Sequence, residues 1–485
     1  MLAAASLLPA APAFAQYGPV VTSGRPYAAA DPQSAEPLTL TEVLRVSAAS
    51  APQIVEALAR IRQAEGRALS AEGAFDTVFD VDGRTRALGY YDGSALDAKV
   101  RQPLTENGGY LYGGYRVSRG SFPIYEDEYY TNRLGELKVG GLYSLLRDRL
   151  VDERRTRRTL AAADLDIARF EAQATAIGVQ RRAMDAYQTW VAAGLRLRAY
   201  RGLLELAESR RAGISRQVEL GAKPEILLTE NEQNLVRRRA LVLRAEQEFE
   251  SAANSLSLYY RDASGQPVVV SPRRLPKDAD AALAGPPVEI LGPAAMARPD
   301  LQTMLARIDQ SMAKLALARN DLLPKLDLRA EVGKDIGDEG LGGRSRTPFE
   351  TVVGFRFSVP LQNRTAKGKI DEARAEIDAL NARARFLRDQ IAVEVEGITI
   401  AVDAAERLAQ AAAQEQQLAE RLAEGERRRF ALGSSDFFLV NQREETATDA
   451  QVRLIDAQAR IAAARSELAA ATADQEALGL TLEEN

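Results

Sequence analysis

The sequence predicts a mixed fold: two long α-helical coiled-coil hairpins joined to four short amphipathic β-strands. Three observations predict it. Two Pro-free tracts carry apolar residues at the 3-4 spacing of a coiled-coil seam. Pairs of segments with period-2 alternation precede each tract. The same order of blocks occurs twice along the chain.

The helices come first. Between Pro123 and Pro224, the apolar positions include Leu160, Ala163, Ile167, Phe170, Ala174, Ile177, Met184 and Val191. After Pro360 the pattern is cleaner: Ile370, Ala373, Ile377, Leu380, Ala384, Leu387, Ile391, Val395, Ile398, Val402, Ala405. The consecutive steps of four near Ile391 insert an eleven-residue unit, which relaxes a left-handed supercoil locally. Each tract predicts a helix of about 65 residues, on the order of 100 Å long at 1.5 Å per residue. Gly221 and Gly433 supply the C-terminal stops, and Pro224 and Asp436 suit the first turn of a returning helix.

The strands come next. Phe349, Thr351, Val353, Phe355, Phe357 and Val359 alternate with Glu350, Gly354, Arg356 and Ser358. Leu326, Leu328, Ala330 and Val332 alternate with Lys325, Asp327, Arg329 and Glu331. Earlier, Phe75, Thr77, Phe79 and Val81 alternate with Asp76, Asp80 and Asp82, and Leu137, Val139, Tyr143 and Leu145 with Glu136, Lys138 and Ser144. One apolar and one charged face over about 10 residues suits a barrel strand between lipid and water. Four strands cannot enclose a pore, so several copies must share one wall.

The repeat sets the boundaries. PQIVEALARIRQ (52–63) aligns with PDLQTMLARIDQ (299–310), and GAKPEILLTENEQNL (221–235) with GSSDFFLVNQREETA (433–447). The first copy is longer, with an insertion between about 82 and 139. That insertion holds Tyr90, Tyr91, Tyr110, Tyr112, Tyr115, Phe122, Tyr125, Tyr129 and Tyr130, which suit a membrane-interface girdle or an extracellular loop. The expected organisation is a signal peptide over 1–15 with an Ala13-Phe14-Ala15 cleavage site, a first repeat over 16–261, a Pro-rich connector over 262–297, a second repeat over 298–468 and a tail over 469–485.

Composition argues against chemistry. The 485 residues include no His and no Cys, which removes the commonest general base, thiolate catalysis and Cys-based metal sites. Neither a P-loop nor a dinucleotide-binding Gly motif is present, so no enzyme and no cofactor is expected. A formal net charge of -5 argues against a nucleic-acid partner. The basic clusters Arg154/155/157/158, Arg237–239 and Arg427–429 are therefore expected to be solvated helix faces or inter-subunit ion pairs, the first also an anchor where barrel meets tunnel. Glu106, Glu126, Asp127 and Glu128 lack the spacing of a calcium loop, and Trp190 reads as packing.

The segments ARPDL (297–301), LLPKLDL (322–328), FSVPLQNR (357–364) and LGSSDFFLVNQRE (432–444), in this order within the duplicated frame, resemble the TolC-type outer membrane factor, or outer membrane efflux protein, family. The resemblance implies a homotrimer with four strands per subunit in a 12-stranded outer-membrane β-barrel, a helical tunnel in the periplasm, and an equatorial belt built from 262–297 and 469–485. It implies a passive exit duct of a tripartite efflux pump or type I secretion system, with outer-membrane lipid, a periplasmic adaptor (membrane fusion) protein and an inner-membrane transporter of RND or ABC type as partners. The contact tip then maps to Leu220, Gly221, Ala222 and Lys223 with Leu432, Gly433, Ser434 and Ser435. The pore-constriction positions of similar channels map to Leu227, Glu230, Leu439 and Gln442. Only Glu230 among these is acidic, a departure from the acidic rings common in such channels; Glu230 and Glu232 are expected either to supply a negative constriction or to be solvated helix charges. The alternative is a periplasmic coiled-coil adaptor or scaffold without a pore.

Overall fold

The computed structural model describes residue 30 and residues 36–277, 282–286, 298–340 and 348–480. The expected signal peptide, parts of the inter-repeat connector and the end of the tail lie outside the described residues.

Two helical hairpins dominate. Helix α1 spans Leu40–Ser50, α2 Pro52–Glu72, α3 Glu153–Glu219, α4 Ile226–Leu256, α5 Pro299–Asn320, α6 Arg364–Ala431 and α7 Phe437–Ala471. α3 and α6 have 67 and 68 residues, as the seam periodicity requires. All eleven seam residues from Ile370 to Ala405 are buried or half-buried. α3 packs on α4, α6 on α7, and α3 also on α7, so the hairpins lie against each other. Pro52 and Pro299 each open a helix, where a missing N–H costs nothing.

Both long helices end in the same turn. Gly221 and Gly433 adopt φ of 69° and 75°, where a side chain would be strained. Ala222 N–H donates to Gln217 O at 2.8 Å and Gly221 N–H to Val218 O at 2.9 Å, and Ser434 and Gly433 repeat the pattern on Arg429 and Phe430. These bonds satisfy the last helical carbonyls. Asp436 then caps α7 by accepting from Leu439 N–H at 2.6 Å.

The sheet differs from expectation. It has six antiparallel strands in chain order: β1 Val78–Thr85, β2 Ser94–Pro103, β3 Gly109–Arg119, β4 Glu136–Ser144, β5 Lys325–Asp335 and β6 Glu350–Ser358. The four expected strands are β1, β4, β5 and β6. The two further strands, β2 and β3, form a hairpin inside the insertion, so the count of four per chain is corrected to six. Alternation is legible in β2. In β3 Tyr110 and Tyr112 share the charged side, and glycine takes Gly113 on the apolar side, so hydropathy hides the period.

A third body of packing surrounds the middle of α3. Leu38, Val43, Val46, Tyr187, Trp190, Val191, Phe249, Leu256, Tyr260, Val270, Leu283 and Leu478 form one buried cluster. It draws on the N-terminal segment, α1, the connector and the C-terminal tail. The expected belt included the last two and lacked the first two. Trp190 is fully buried and stacks on Phe249 at 5.9 Å between centroids. Arg274 ties the belt together. It donates to Glu36 O at 2.8 Å, to the Glu42 carboxylate at 2.7 Å and to the Tyr260 hydroxyl at 2.6 Å.

This belt has an alkaline limit. Tyr187 donates its hydroxyl to Leu38 O at 2.9 Å. Burial pushes its phenol up to about 12, and burial with the Glu42 hydrogen bond does the same for Tyr260. A pKa raised above the ordinary value near 10 means the fold favours the neutral phenol. Its stabilisation is complete below pH about 10 and is lost as pH rises through about 12. Tyr187→Phe is expected to cost about 1 kcal/mol at neutral pH and to weaken the alkaline loss. Fluorescence of Trp190, the only tryptophan, reports both. Identical alkaline titrations of the two proteins would contradict this assignment.

Candidate channel wall and hairpin ends

The register of the sheet sorts its residues by face. Rows of partners such as Phe79↔Val100, Val100↔Gly113, Gly113↔Val139, Val139↔Val332 and Val332↔Thr351 run across all six strands on one side. That side carries Phe79, Val81, Leu96, Val100, Leu111, Leu137, Val139, Leu328, Val332, Val353, Phe355 and Phe357, all exposed. Its charges are Arg119 and Lys334, located where β3 and β5 end. Lys334 Nζ lies over the Phe349 ring at 4.6 Å. An exposed apolar face of this extent is not a soluble surface.

The opposite side holds the remaining strand charges, and many of them are paired. Arg116 Nε donates to Asp97 Oδ2 at 2.8 Å across β2 and β3. Lys138 lies 3.0 Å from Glu136 and 3.5 Å from Glu331, and Arg329 lies 2.9 Å from Glu331. Tyr112 reaches across β4 to donate to Glu331. A water-facing wall accommodates this network, and a lipid-facing one does not.

Both edges are open. Every residue of β1 is exposed, and so is nearly every residue of β6. Long apolar edges with unpaired backbone groups are aggregation templates unless another strand covers them. The helices show a matching gap. Phe386, Val393 and Ile400 form an exposed heptad stripe on α6, and Val236 and Leu243 on α4 do the same.

The sheet is bolted to the helices by polar contacts. Ser144 donates to Asp327 at 2.9 Å, Arg147 to Asp321 at 2.7 Å, and Asn320 Nδ2 to Asp148 at 3.0 Å. Arg155, in the first turn of α3, is buried and donates to the carbonyls of Glu106, Asp148 and Arg149. The anchor expected of the first basic cluster is thus real. It acts within the chain, through one buried arginine.

The sequence-predicted contact residues lie at the two hairpin ends. Leu220, Gly221, Ala222 and Lys223 are exposed, as are Leu432, Gly433 and Ser434, while Ser435 is half-buried and donates to Glu426. Leu227 and Leu439 are half-buried in the first turns of α4 and α7, and Glu230 and Gln442 are exposed nearby.

About 10 Å along α7 from its start, at 1.5 Å per residue, sits a cluster that sequence patterning does not disclose. Glu444 and Arg238 have fully buried side chains. Glu444 pairs with Arg210 of α3, lies 3.6 Å from Arg238 of α4 and 3.6 Å from Arg427 of α6. Asn441 accepts from Arg238 at 3.3 Å and from Arg210 at 3.4 Å. One carboxylate therefore ties four helices. Burial pushes the Arg238 guanidinium down, with Glu444 and Glu445 opposing. Arg238 and Arg427 come from the two clusters expected to be solvated or inter-subunit. The expectation is corrected for both: helix packing turns them inward onto Glu444. Spacing does not flag the pair: Arg238 lies 17 positions past Gly221 and Glu444 11 past Gly433.

Among the described residues no helix is long and apolar enough to cross a membrane. Among them, too, no cluster of metal-ligating side chains occurs.

Comparison with known proteins gives the same picture. Residues 291–474 match the outer membrane efflux protein family. The fold matches the CmeC outer membrane channel of Campylobacter jejuni over 92% of this chain and 87% of that one, at 15% identity and a TM-score of 0.58. It matches the outer membrane protein VceC of Vibrio cholerae over 90% and 96%, at 15% identity and 0.58. The open state of the MtrE outer membrane channel of Neisseria gonorrhoeae matches over 91% and 89%, at 15% identity and 0.56. No curated protein matches the sequence significantly.

Proposed function

We propose that this chain belongs to the outer membrane efflux protein family, whose pattern residues 291–474 match, and is the channel subunit of an outer-membrane export duct. One observation carries this reading: a six-stranded sheet with an apolar exposed face, a charged opposite face and two open edges, continuous with helices about 100 Å long. β1 and β6 run in opposite directions, so β6 of one copy can pair antiparallel with β1 of the next. Three copies close the wall, and the exposed stripes on α4 and α6 pack between them.

The duct is passive and performs no chemistry. Residues 1–15 direct export, 16–261 and 298–468 are the two repeats, and the described parts of the connector and tail, through Val270, Leu283 and Leu478, brace the belt. An inner-membrane transporter of RND or ABC type drives cargo, and a periplasmic adaptor joins it at Leu220–Lys223 and Leu432–Ser435. Leu227, Glu230, Leu439 and Gln442 line the narrow end. Efflux and type I secretion both fit this geometry.

The test is direct. Purified protein should require detergent, sediment as a trimer and conduct ions in planar bilayers. A monomer that stays soluble without detergent would return the chain to the class of periplasmic scaffolds.

A further inference from the structure

The hairpin β2–β3 enlarges the barrel of the proposed channel, a consequence that rests on the channel reading itself. The hairpin lies in the plane of the sheet. β2 is bonded to β1 from Val78↔Arg101 to Thr85↔Ser94, and β3 to β4 from Gly109↔Tyr143 to Arg116↔Glu136. It continues the lipid face with Leu96, Val100 and Leu111, and the water face with Asp97, Lys99 and Arg116. Its lower turn is fixed at the junction with the helices. Gly108 N–H donates to Arg149 O at 2.8 Å, and Arg155 donates to Glu106 O at 2.6 Å. A Cβ on Gly108 would lie 1.9 Å from the Asp148 carbonyl oxygen, so the turn seats only a glycine.

The segment after β3 folds back over the charged face. Residues Ile124–Tyr129 form two 3-10 turns kinked at Glu126. Glu126 pairs with Arg86 at 2.7 Å and lies 3.7 Å from Arg84. Arg116 donates to Glu128 O at 3.0 Å. The guanidiniums of Arg84 and Arg116 lie over the Tyr129 ring at 5.2 and 5.4 Å. Arg84 and Arg116 share the face of Asp82 and Asp97, so the segment sits on the water side of the wall. It is braced there by Ser118 and Thr131, each donating its backbone N–H to the other's hydroxyl, at 3.1 and 2.9 Å.

We infer that the trimer closes a barrel of eighteen strands, three times six, and that residues 120–135 of each chain fold into its lumen as the outer size-limiting element. Barrel diameter grows roughly linearly with strand number, so this wall is roughly 1.5 times as wide as a twelve-stranded one. Four long helices per chain do not widen to match. The barrel therefore exceeds the tunnel beneath it, and the inward segments occupy the excess. Selection by size at the outer mouth falls to a tethered loop, which can differ in stiffness and charge without altering the wall.

Imaging the full-length trimer in lipid nanodiscs tests the strand count. Eighteen strands with 120–135 inside support the inference. Twelve strands, with 94–119 outside the wall, overturn it. Failure to form any closed threefold barrel would instead overturn the channel reading itself. Single-channel recording tests the loop. Replacing 121–134 by a short Gly-Ser turn should admit from the outer side neutral polymers up to roughly 1.5 times wider, a readout that the narrow end at the hairpin tips does not limit. The double variant Arg84→Ala/Arg86→Ala removes the Glu126 ion pairs, while Arg116 and the Ser118–Thr131 bonds keep the loop in place; it should widen that polymer range less than loop replacement does, with larger current noise. An unchanged range of admitted polymers in the double variant, and in any loop-replaced protein that assembles, overturns the assignment.

Discussion

Val353→Arg is expected to abolish stable insertion, and Val352→Arg, its immediate neighbour, to be tolerated. Both are exposed valines on the outermost strand, 67% and 46% accessible, and hydropathy treats them alike. The register separates them. Val353 pairs with Ala330 on the apolar face, and Val352 pairs with Glu331 on the charged one. An arginine on the lipid side near the middle of the wall costs about 2–4 kcal/mol, and three copies place about 6–12 kcal/mol in one trimer. On the other side the new guanidinium meets a carboxylate directly across the ladder, worth a few tenths to about 1 kcal/mol in its favour. The yield of detergent-resistant trimer in the membrane fraction measures both. Equal yields would remove the distinction between a lipid face and a water face, and with it the barrel.

Much of this architecture is readable from the chain. The long helices are legible because a seam of small and branched residues must repeat every three or four positions to stay buried, and glycine alone enters the left-handed turn cheaply. Gly221 and Gly433 therefore mark both hairpin ends. Strands β5 and β6 are legible because their faces differ by charge. β3 is not, since Tyr112 faces water by virtue of a hydroxyl that reaches Glu331, and no hydropathy pattern records a partner more than two hundred residues away. The same limit hides the belt's N-terminal contribution. Leu38 and Val43 look like any short apolar segment until Tyr187 and Arg274 bond their backbone neighbourhood. The contact residues at the hairpin ends are readable by position, whereas the packing above them depends on which arginine in each run turns inward.

That packing carries the second large effect. Glu444→Gln should loosen the two hairpins near their ends, because it removes the one carboxylate shared by Arg210, Arg238 and Arg427. Breaking a buried ion pair from one side costs about 3–5 kcal/mol, since the partner charge stays buried and unpaired. Here more than one charge is stranded, and Arg238 has no exposed surface through which to find water. Gln keeps the shape of Glu, so the loss reports charge and not a cavity. The expected signature is faster hydrogen exchange in residues 203–245 and 420–450, with the belt around Trp190 unchanged, together with a larger resting conductance. Adding Arg238→Met should recover part of the loss, because an apolar side chain of similar length does not need the carboxylate. A cluster that merely fills space would respond differently: Glu444→Gln would be silent, and Arg238→Met alone would be as harmful as the pair. Exchange rates in the four variants decide between a shared electrostatic tie and ordinary packing, and the wild-type residues around Glu444 favour the tie.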